Sequence, residues 1–224
     1  MAYKALPQSM KNEYTQNYWK LLQKKRRTLA FKRIGDILAS FLILLVLSPV
    51  MLLLALAIKL DSPGPVFYRQ VRVGRFNRDF QIFKFRTMVQ HADQIGPAVT
   101  TGGDARITRV GKLIRRCRMD EFSQLINVLN GTMSLVGPRP EVRRYVDAYS
   151  PEGMATLLVR PGITAPSSIA FKDEDRLLVA SGDPDQIYIE QILPPKTELN
   201  LSYLRSLSIA GDIKIMFQTV AAVI

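Results

Sequence analysis

The chain has 224 residues and carries 31 lysines and arginines against 19 acidic residues, a formal net charge of +12 at pH 7. That length suffices for one compact domain with its own core, and the charge suits nucleic acid, an anionic membrane surface or a phosphorylated substrate about equally. A single cysteine, Cys117, excludes an intrachain disulfide, and a single histidine, His91, excludes metal centres that need two. The compartment reads as reducing.

Residues 1–33 mix Tyr14, Tyr18 and Trp19 with a basic cluster that runs from Lys20 to Arg33. This composition predicts an interfacial helix in the headgroup layer, with a disordered basic tail as the plainer alternative. An uncharged run over residues 37–58 follows, interrupted by Ser48-Pro49. It starts too late and runs too long for a signal peptide, and no small-residue cleavage site follows it. At about 1.5 Å per residue it could just cross a bilayer as one helix. Three features favour a re-entrant helix-break-helix hairpin instead. Pro49 removes a backbone donor, Ser48 can turn its hydroxyl onto the Leu44 carbonyl, and basic residues flank the run on both sides. The hairpin then occupies 34–61 and a cytosolic catalytic domain 62–224.

The cluster Asp61-Ser62-Pro63-Gly64-Pro65 ends the hairpin. Residues 66–73 and 80–86 read as a strand pair around the connection 74–79. The second strand carries Lys84 and Arg86 beside Phe83 and Phe85; these cations are either solvated or phosphate ligands. Residues 91–104 are rich in Gly, Pro and Thr and are expected to form a loop over a site. Ile107, Val110, Ile114 and Cys117 recur at helical spacing, with arginines and Lys112 on the remaining faces, which predicts a basic amphipathic helix.

A second helix is predicted with Asp120 as N-cap, Phe122, Leu125, Ile126 and Leu129 as its apolar face, and Gly131 past its end. An aspartate at a helix N-terminus is held ionised and lies where phosphate binds, so it can serve as a nucleophile. Glu121 beside it points elsewhere and can assist. Taken alone, the pair reads rather as an ordinary N-cap followed by a first-turn acid. Gly137-Pro138-Arg139-Pro140 is a stiff loop that presents Arg139. Arg160-Pro161-Gly162 is a type II turn signature. Beyond Thr164 come the acidic stretch Asp173, Glu174 and Asp175, a break at Pro194-Pro195, and a last amphipathic helix with Ile213, Met216, Phe217 and Val220.

Taken together, Lys84-Phe85-Arg86-Thr87-Met88, Gly111-Lys112-Leu113-Ile114-Arg115, Asp120-Glu121, Gly137-Pro138-Arg139-Pro140 and Arg160-Pro161-Gly162-Ile163-Thr164 resemble the bacterial sugar transferase family, small monotopic phosphoglycosyl transferases. The resemblance implies a mostly helical α+β fold, with a short β-hairpin and interfacial amphipathic helices. It also implies transfer of a sugar 1-phosphate from a UDP-sugar to a polyprenol phosphate (undecaprenyl phosphate), with release of UMP and with Mg²⁺ as cofactor. The chain would act at the cytoplasmic face of the inner membrane, in an early step of exopolysaccharide or glycoconjugate assembly. By that similarity Asp120 is the nucleophile and metal ligand, Glu121 is its partner, and Lys84, Arg115, Arg139 and Arg160 contact phosphate or nucleotide. Arg86 joins them from the motif it shares with Lys84. A homodimer is compatible with the family, and no nucleic-acid partner is implied.

The chain departs from the family pattern in two places. Phe122-Ser123 stands where Leu-Pro is usual, and Ala165-Pro166-Ser167-Ser168 stands where Gly-Leu is usual. A membrane-anchored basic binding module without catalysis is the alternative reading. It explains the charge but leaves the two proline-framed arginine motifs without a task.

Overall fold

The computed structural model describes residues 3–92, 104–172 and 184–223. Most of the expected loop over 91–104, and the stretch Asp173, Glu174 and Asp175, lie outside them. The described chain is mostly helical, with two small two-stranded sheets.

Helix α1 (Glu13–Lys24) starts at Asn12, whose side chain accepts from the Thr15 amide at 2.8 Å. Its Tyr18 and Leu22 belong to one core with Leu125, Val136, Leu158 and Leu204. The Tyr18 hydroxyl donates to Glu152 at 3.0 Å and accepts from Arg205 at 2.9 Å. The segment predicted to lie among headgroups therefore turns this face into the domain, although Tyr14 stays exposed.

Helix α2 (Arg26–Asp61) starts inside the predicted basic segment and continues through Ser48-Pro49 without losing its helical assignment. The Ser48 hydroxyl donates to the Leu45 carbonyl at 2.8 Å rather than to Leu44. Leu45 carries the carbonyl that Pro49, lacking an N–H, cannot satisfy, and that explains the choice. The helix is long and apolar enough to cross a membrane, with a mean hydropathy of 3.0 over its best window. Val46 is 75% and Leu52 72% exposed, an apolar surface that water does not stabilise.

Both ends of α2 dock on the same domain. Near its start Arg33 donates to the carbonyls of Val128 at 2.7 Å and Met133 at 3.3 Å, and buried Asp36 accepts from Ser134 at 2.6 Å. At its far end Ile58 packs with Phe85 and Ile114. Asp61 accepts from the Val110 amide at 2.9 Å, occupying a first-turn donor of the next long helix.

Strands β1 (Phe67–Val73) and β2 (Asp79–Phe85) pair antiparallel with Tyr68 opposite Lys84, close to the predicted hairpin. Phe76 and Asn77 in the connection take positive φ. Helix α3 (Arg109–Arg116) is capped by Thr108 and buries Ile114 completely. Helix α4 (Gln124–Leu129) is shorter than predicted.

A parallel pair absent from the sequence reading follows, β3 (Ser134–Val136) with β4 (Gly162–Thr164). Gly162 is thus a strand residue and does not take the positive φ that a type II turn demands at this position. Its requirement is close approach: a Cβ there would lie 2.1 Å from the Gly137 amide nitrogen.

The remaining helices are α5 (Arg143–Val146), α6 (Pro166–Ala170), α7 (Pro184–Ile187), α8 (Leu193–Ser206) and α9 (Ile209–Val223). A π-turn over Tyr188–Ile192 joins α7 to α8, so Pro194-Pro195, expected as a break, sits in the first turn of α8. First-turn positions need no N–H donor and tolerate proline. Asp212 of α9 accepts from Tyr203 at 2.9 Å and ion-pairs with Lys32 at 2.7 Å. Ile209, Ile213, Phe217 and Val220 of α9 remain exposed.

Candidate active site

The site is built where the turn before α4 lies against β2. Two buried side chains of that turn and helix make the contact. The Ser123 hydroxyl donates to the Phe83 carbonyl at 3.0 Å. Asn127 accepts from the Phe83 amide at 2.9 Å and donates to the Gln81 carbonyl at 2.7 Å. These bonds satisfy β2 main-chain groups and fix the turn beside Lys84. Neither residue stands out in the sequence as a site residue, and Ser123 is notable there only as a departure from the family pattern. A proline at that position would have no hydroxyl with which to make this contact.

Asp120 and Glu121 occupy a 3₁₀ turn (Met119–Glu121) that follows Arg118 in the left-handed region. Asp120 is therefore not the N-cap of α4, which starts only at Gln124. Burial raises the Asp120 pKa; the Lys84 charge opposes this and Glu121 adds to it. The amide of Asp120 itself, rather than the first turn of α4, is the main-chain group that favours its charged form.

Glu121 is the carboxylate held ionised. Its Oε1 lies 2.7 Å from Arg139 Nη2 and 3.6 Å from Lys84 Nζ, and its Oε2 lies 3.5 Å from Arg139 Nη1. Burial acts to raise its pKa, but the charges of Arg139 and Lys84 outweigh this and hold it at about 2. Burial lowers the Lys84 pKa, and the Glu121 charge acts against that shift.

Arg139 is stiffly presented, as predicted. The Pro138 carbonyl accepts from the Gly162 amide at 2.9 Å, and the Gly137 amide donates to the Thr164 carbonyl at 3.0 Å. The Pro140 carbonyl accepts from Arg72 at 3.4 Å. Arg115 of α3 donates to Thr87 at 2.8 Å, and its charge reaches Asp120.

Two candidates are not part of this cluster. Buried Arg86 donates to the carbonyls of Pro63 and Ser62, both at 2.7 Å, and to that of Ile58 at 3.4 Å. Its guanidinium closes the C-terminus of α2, where carbonyls lack helical partners and the dipole favours a cation. Arg160 donates its Nε to the Gly131 carbonyl at 2.8 Å and lines a separate cavity.

Among the described residues no group of three or more His, Cys, Asp or Glu side chains converges on a point that could hold a metal ion. Asp120 makes no ion pair there, in contrast to Glu121. Mg²⁺ of the kind that binds through one or two carboxylates together with substrate phosphates and water would find a single protein carboxylate outside an ion pair here, Asp120.

A carboxylate pair set among Lys84, Arg115 and Arg139 has the chemistry to meet phosphate oxygens. The chain belongs to the bacterial sugar transferase family, which it matches over residues 27–224. The resemblance read from its motifs is thereby borne out. It is 42% identical over 196 residues to a UDP-N-acetylgalactosamine-undecaprenyl-phosphate N-acetylgalactosaminephosphotransferase of Aeromonas hydrophila, covering 86% of this chain and 43% of that protein. It is 38% identical over 198 residues to a UDP-glucose:undecaprenyl-phosphate glucose-1-phosphate transferase of Caulobacter vibrioides, covering 86% and 69%. It is 36% identical over 205 residues to the exopolysaccharide production protein PSS of Rhizobium leguminosarum bv. phaseoli, covering 87% and 95%. The chain thus spans less than half of the first relative and nearly all of the third.

Proposed function

We propose that this protein transfers a sugar 1-phosphate from a UDP-sugar to undecaprenyl phosphate, at the cytoplasmic face of the inner membrane. The observation that carries the reading is Asp120 beside a Glu121 already neutralised by Arg139 and Lys84, in a chain whose relatives bear the names of such transferases. In the first step an Asp120 carboxylate oxygen attacks the phosphorus that bears the sugar. The bond from that phosphorus to the UMP oxygen breaks, leaving UMP and an aspartyl phosphosugar. In the second step a phosphate oxygen of the acceptor attacks the same phosphorus. The Asp120 carboxylate leaves, and the product is undecaprenyl diphosphate sugar.

Both nucleophiles are anions, so neither step needs a general base. Each needs the charge of the diphosphate masked, which Lys84, Arg115 and Arg139 do here. Glu121 orients Arg139 and Lys84 through its ion pairs. Asp120 would hold Mg²⁺ together with the substrate phosphates, and the ion would supply further neutralisation of that charge. Burial that raises the Asp120 pKa also strips water from the attacking oxygen, leaving it a better nucleophile.

Two features support a monotopic placement in which α2 bends at Ser48-Pro49 and leaves by the leaflet it entered. The Leu45 carbonyl freed by Pro49 is satisfied by Ser48, and both ends of α2 dock on one domain. The exposed apolar face of α9 suits the same leaflet.

The test is UMP release over a panel of UDP-sugars with a polyprenol phosphate acceptor. Asp120→Asn removes the nucleophile and relieves a buried charge, so the variant should melt no lower than wild type yet lose turnover by at least 10³-fold. A folded Asn variant that released UMP at near wild-type rates would overturn the assignment.

A further inference from the structure

A cavity of about 280 Å³ opens between the first turns of α2, strand β3 with the segment before β4, and α8, and shares no residue with the Asp120 cluster. Its wall carries Lys32, Arg33, Arg75 and Arg160 against one carboxylate, Asp36. Two of these cations are committed. Lys32 lies 2.7 Å from Asp212 and 3.5 Å from Asp36, and Arg33 is spent on the Val128 and Met133 carbonyls.

Arg75 and Arg160 are different. Each donates only its Nε to a carbonyl, Arg75 to Leu158 at 3.0 Å and Arg160 to Gly131 at 2.8 Å. Their terminal nitrogens hold no hydrogen bond among the described residues. Phe76 lies beneath the Arg75 guanidinium, 4.3 Å from its carbon, and leaves the N–H edge open. Two half-buried guanidinium groups that share a cavity repel each other, a cost that an anion between their edges removes. Burial, and then the charge of Arg160, press the Arg75 pKa down to about 10; burial, and then Arg33, lower that of Arg160.

We propose that this cavity is a second phosphate-binding site, in which the terminal N–H edges of Arg75 and Arg160 grip the oxygens of one phosphate group. The planar forks match phosphate geometry in a way that ammonium groups do not. The depth of the cavity points to a lipid headgroup as the source of that phosphate. The uncharged run of α2 begins immediately after Asp36, so on the membrane reading of α2 the cavity lies at headgroup level. Leu29 and Leu207 on the same wall would face the start of the glycerol and acyl portion. A free phosphate ester would meet the same two forks.

The experiment follows thermal unfolding of the full chain in nonionic detergent at fixed ionic strength, titrated separately with short-chain phosphatidylglycerol and with inorganic phosphate. Wild type and Asp120→Asn should both show saturable stabilisation, which separates this site from the catalytic one. In the Arg75→Gln/Arg160→Gln double variant the apparent affinity should fall at least 10-fold. Stabilisation by phosphatidylglycerol alone assigns a lipid headgroup, and equal stabilisation by inorganic phosphate assigns a soluble ester. If the double variant does not fold, Arg75→Lys keeps the charge and loses the fork, and should weaken binding several-fold. No saturable response of wild type to either probe, or an affinity unchanged in the variants, overturns the proposal.

Discussion

Glu121 Oε1 and Arg139 Nη2 lie 2.7 Å apart, and this pair joins the 3₁₀ turn before α4 to a proline-framed loop eighteen positions along the chain. Arg139→Lys keeps the charge but loses the planar fork, and a loop anchored through Gly162 and Thr164 has little room to adjust. The specificity constant for UDP-sugar should fall about 10- to 100-fold with the fold intact, since each 1.4 kcal/mol is tenfold. An unchanged constant would reduce Arg139 to a structural residue.

The same pair makes acid stability depend on Glu121. Its folded pKa of about 2 lies below the ordinary 4.5, so its ionised form stabilises the fold fully above pH 4.5. That contribution fades as pH falls from 4.5 through about 2. Glu121→Gln should therefore cost about 1–3 kcal/mol at pH 7, and the gap from wild type should close on acidification. Melting curves from pH 7 to pH 3 measure it; a gap that did not change with pH would show that the ion pair is not its source.

Ser123 and Asn127 hold the Asp120–Glu121 turn against β2. Asn127→Ala leaves the Phe83 amide and the Gln81 carbonyl without their partner and should cost about 2–3 kcal/mol. Ser123→Ala should cost about 1 kcal/mol and lower kcat more than it raises KM, because it loosens the turn that carries Asp120. An effect confined to KM would argue against a positioning role.

With donor and no acceptor, peptide mass analysis after digestion should find a sugar-phosphate adduct on the peptide that holds Asp120, and none in Asp120→Asn. Chelation of divalent ions should slow both adduct formation and UMP release. An adduct on any other residue would move the nucleophile.

Changing Ser48-Pro49 to Ala-Leu restores a backbone donor and makes residues 37–58 a continuous apolar helix. A cysteine introduced at Ser9 in a Cys117→Ser background should resist a membrane-impermeant thiol reagent applied to intact cells. The Ala-Leu variant should be labelled in at least part of the population. Labelling of the parent from outside would replace the re-entrant hairpin by a single span and leave the Asp120 chemistry untouched.

Local pattern determined much about this protein by itself. The alternation in β1 and β2, the 3.6-residue period of α3, the uncharged run with its proline and the two proline-framed arginines are each written within a few neighbouring residues, and they were legible before any fold was known. The family follows from the order of those motifs. Tertiary structure alone decided what each polar side chain does. Lys84 lies in β2 and Arg86 just past its end, only two residues apart, yet Arg86 closes α2 while Lys84 meets Glu121. Gly162 was read as a turn glycine and proved to be a contact glycine, because the strand it approaches lies some twenty-five residues earlier. Asp120 was read as a helix cap and proved to precede the helix, because Ser123 and Asn127 bond to β2 and set where α4 begins. The physical reason is range. Periodicity and turn propensity act over a few residues, whereas a buried hydrogen-bond donor or cation takes whichever acceptor the packed chain brings within about 3 Å.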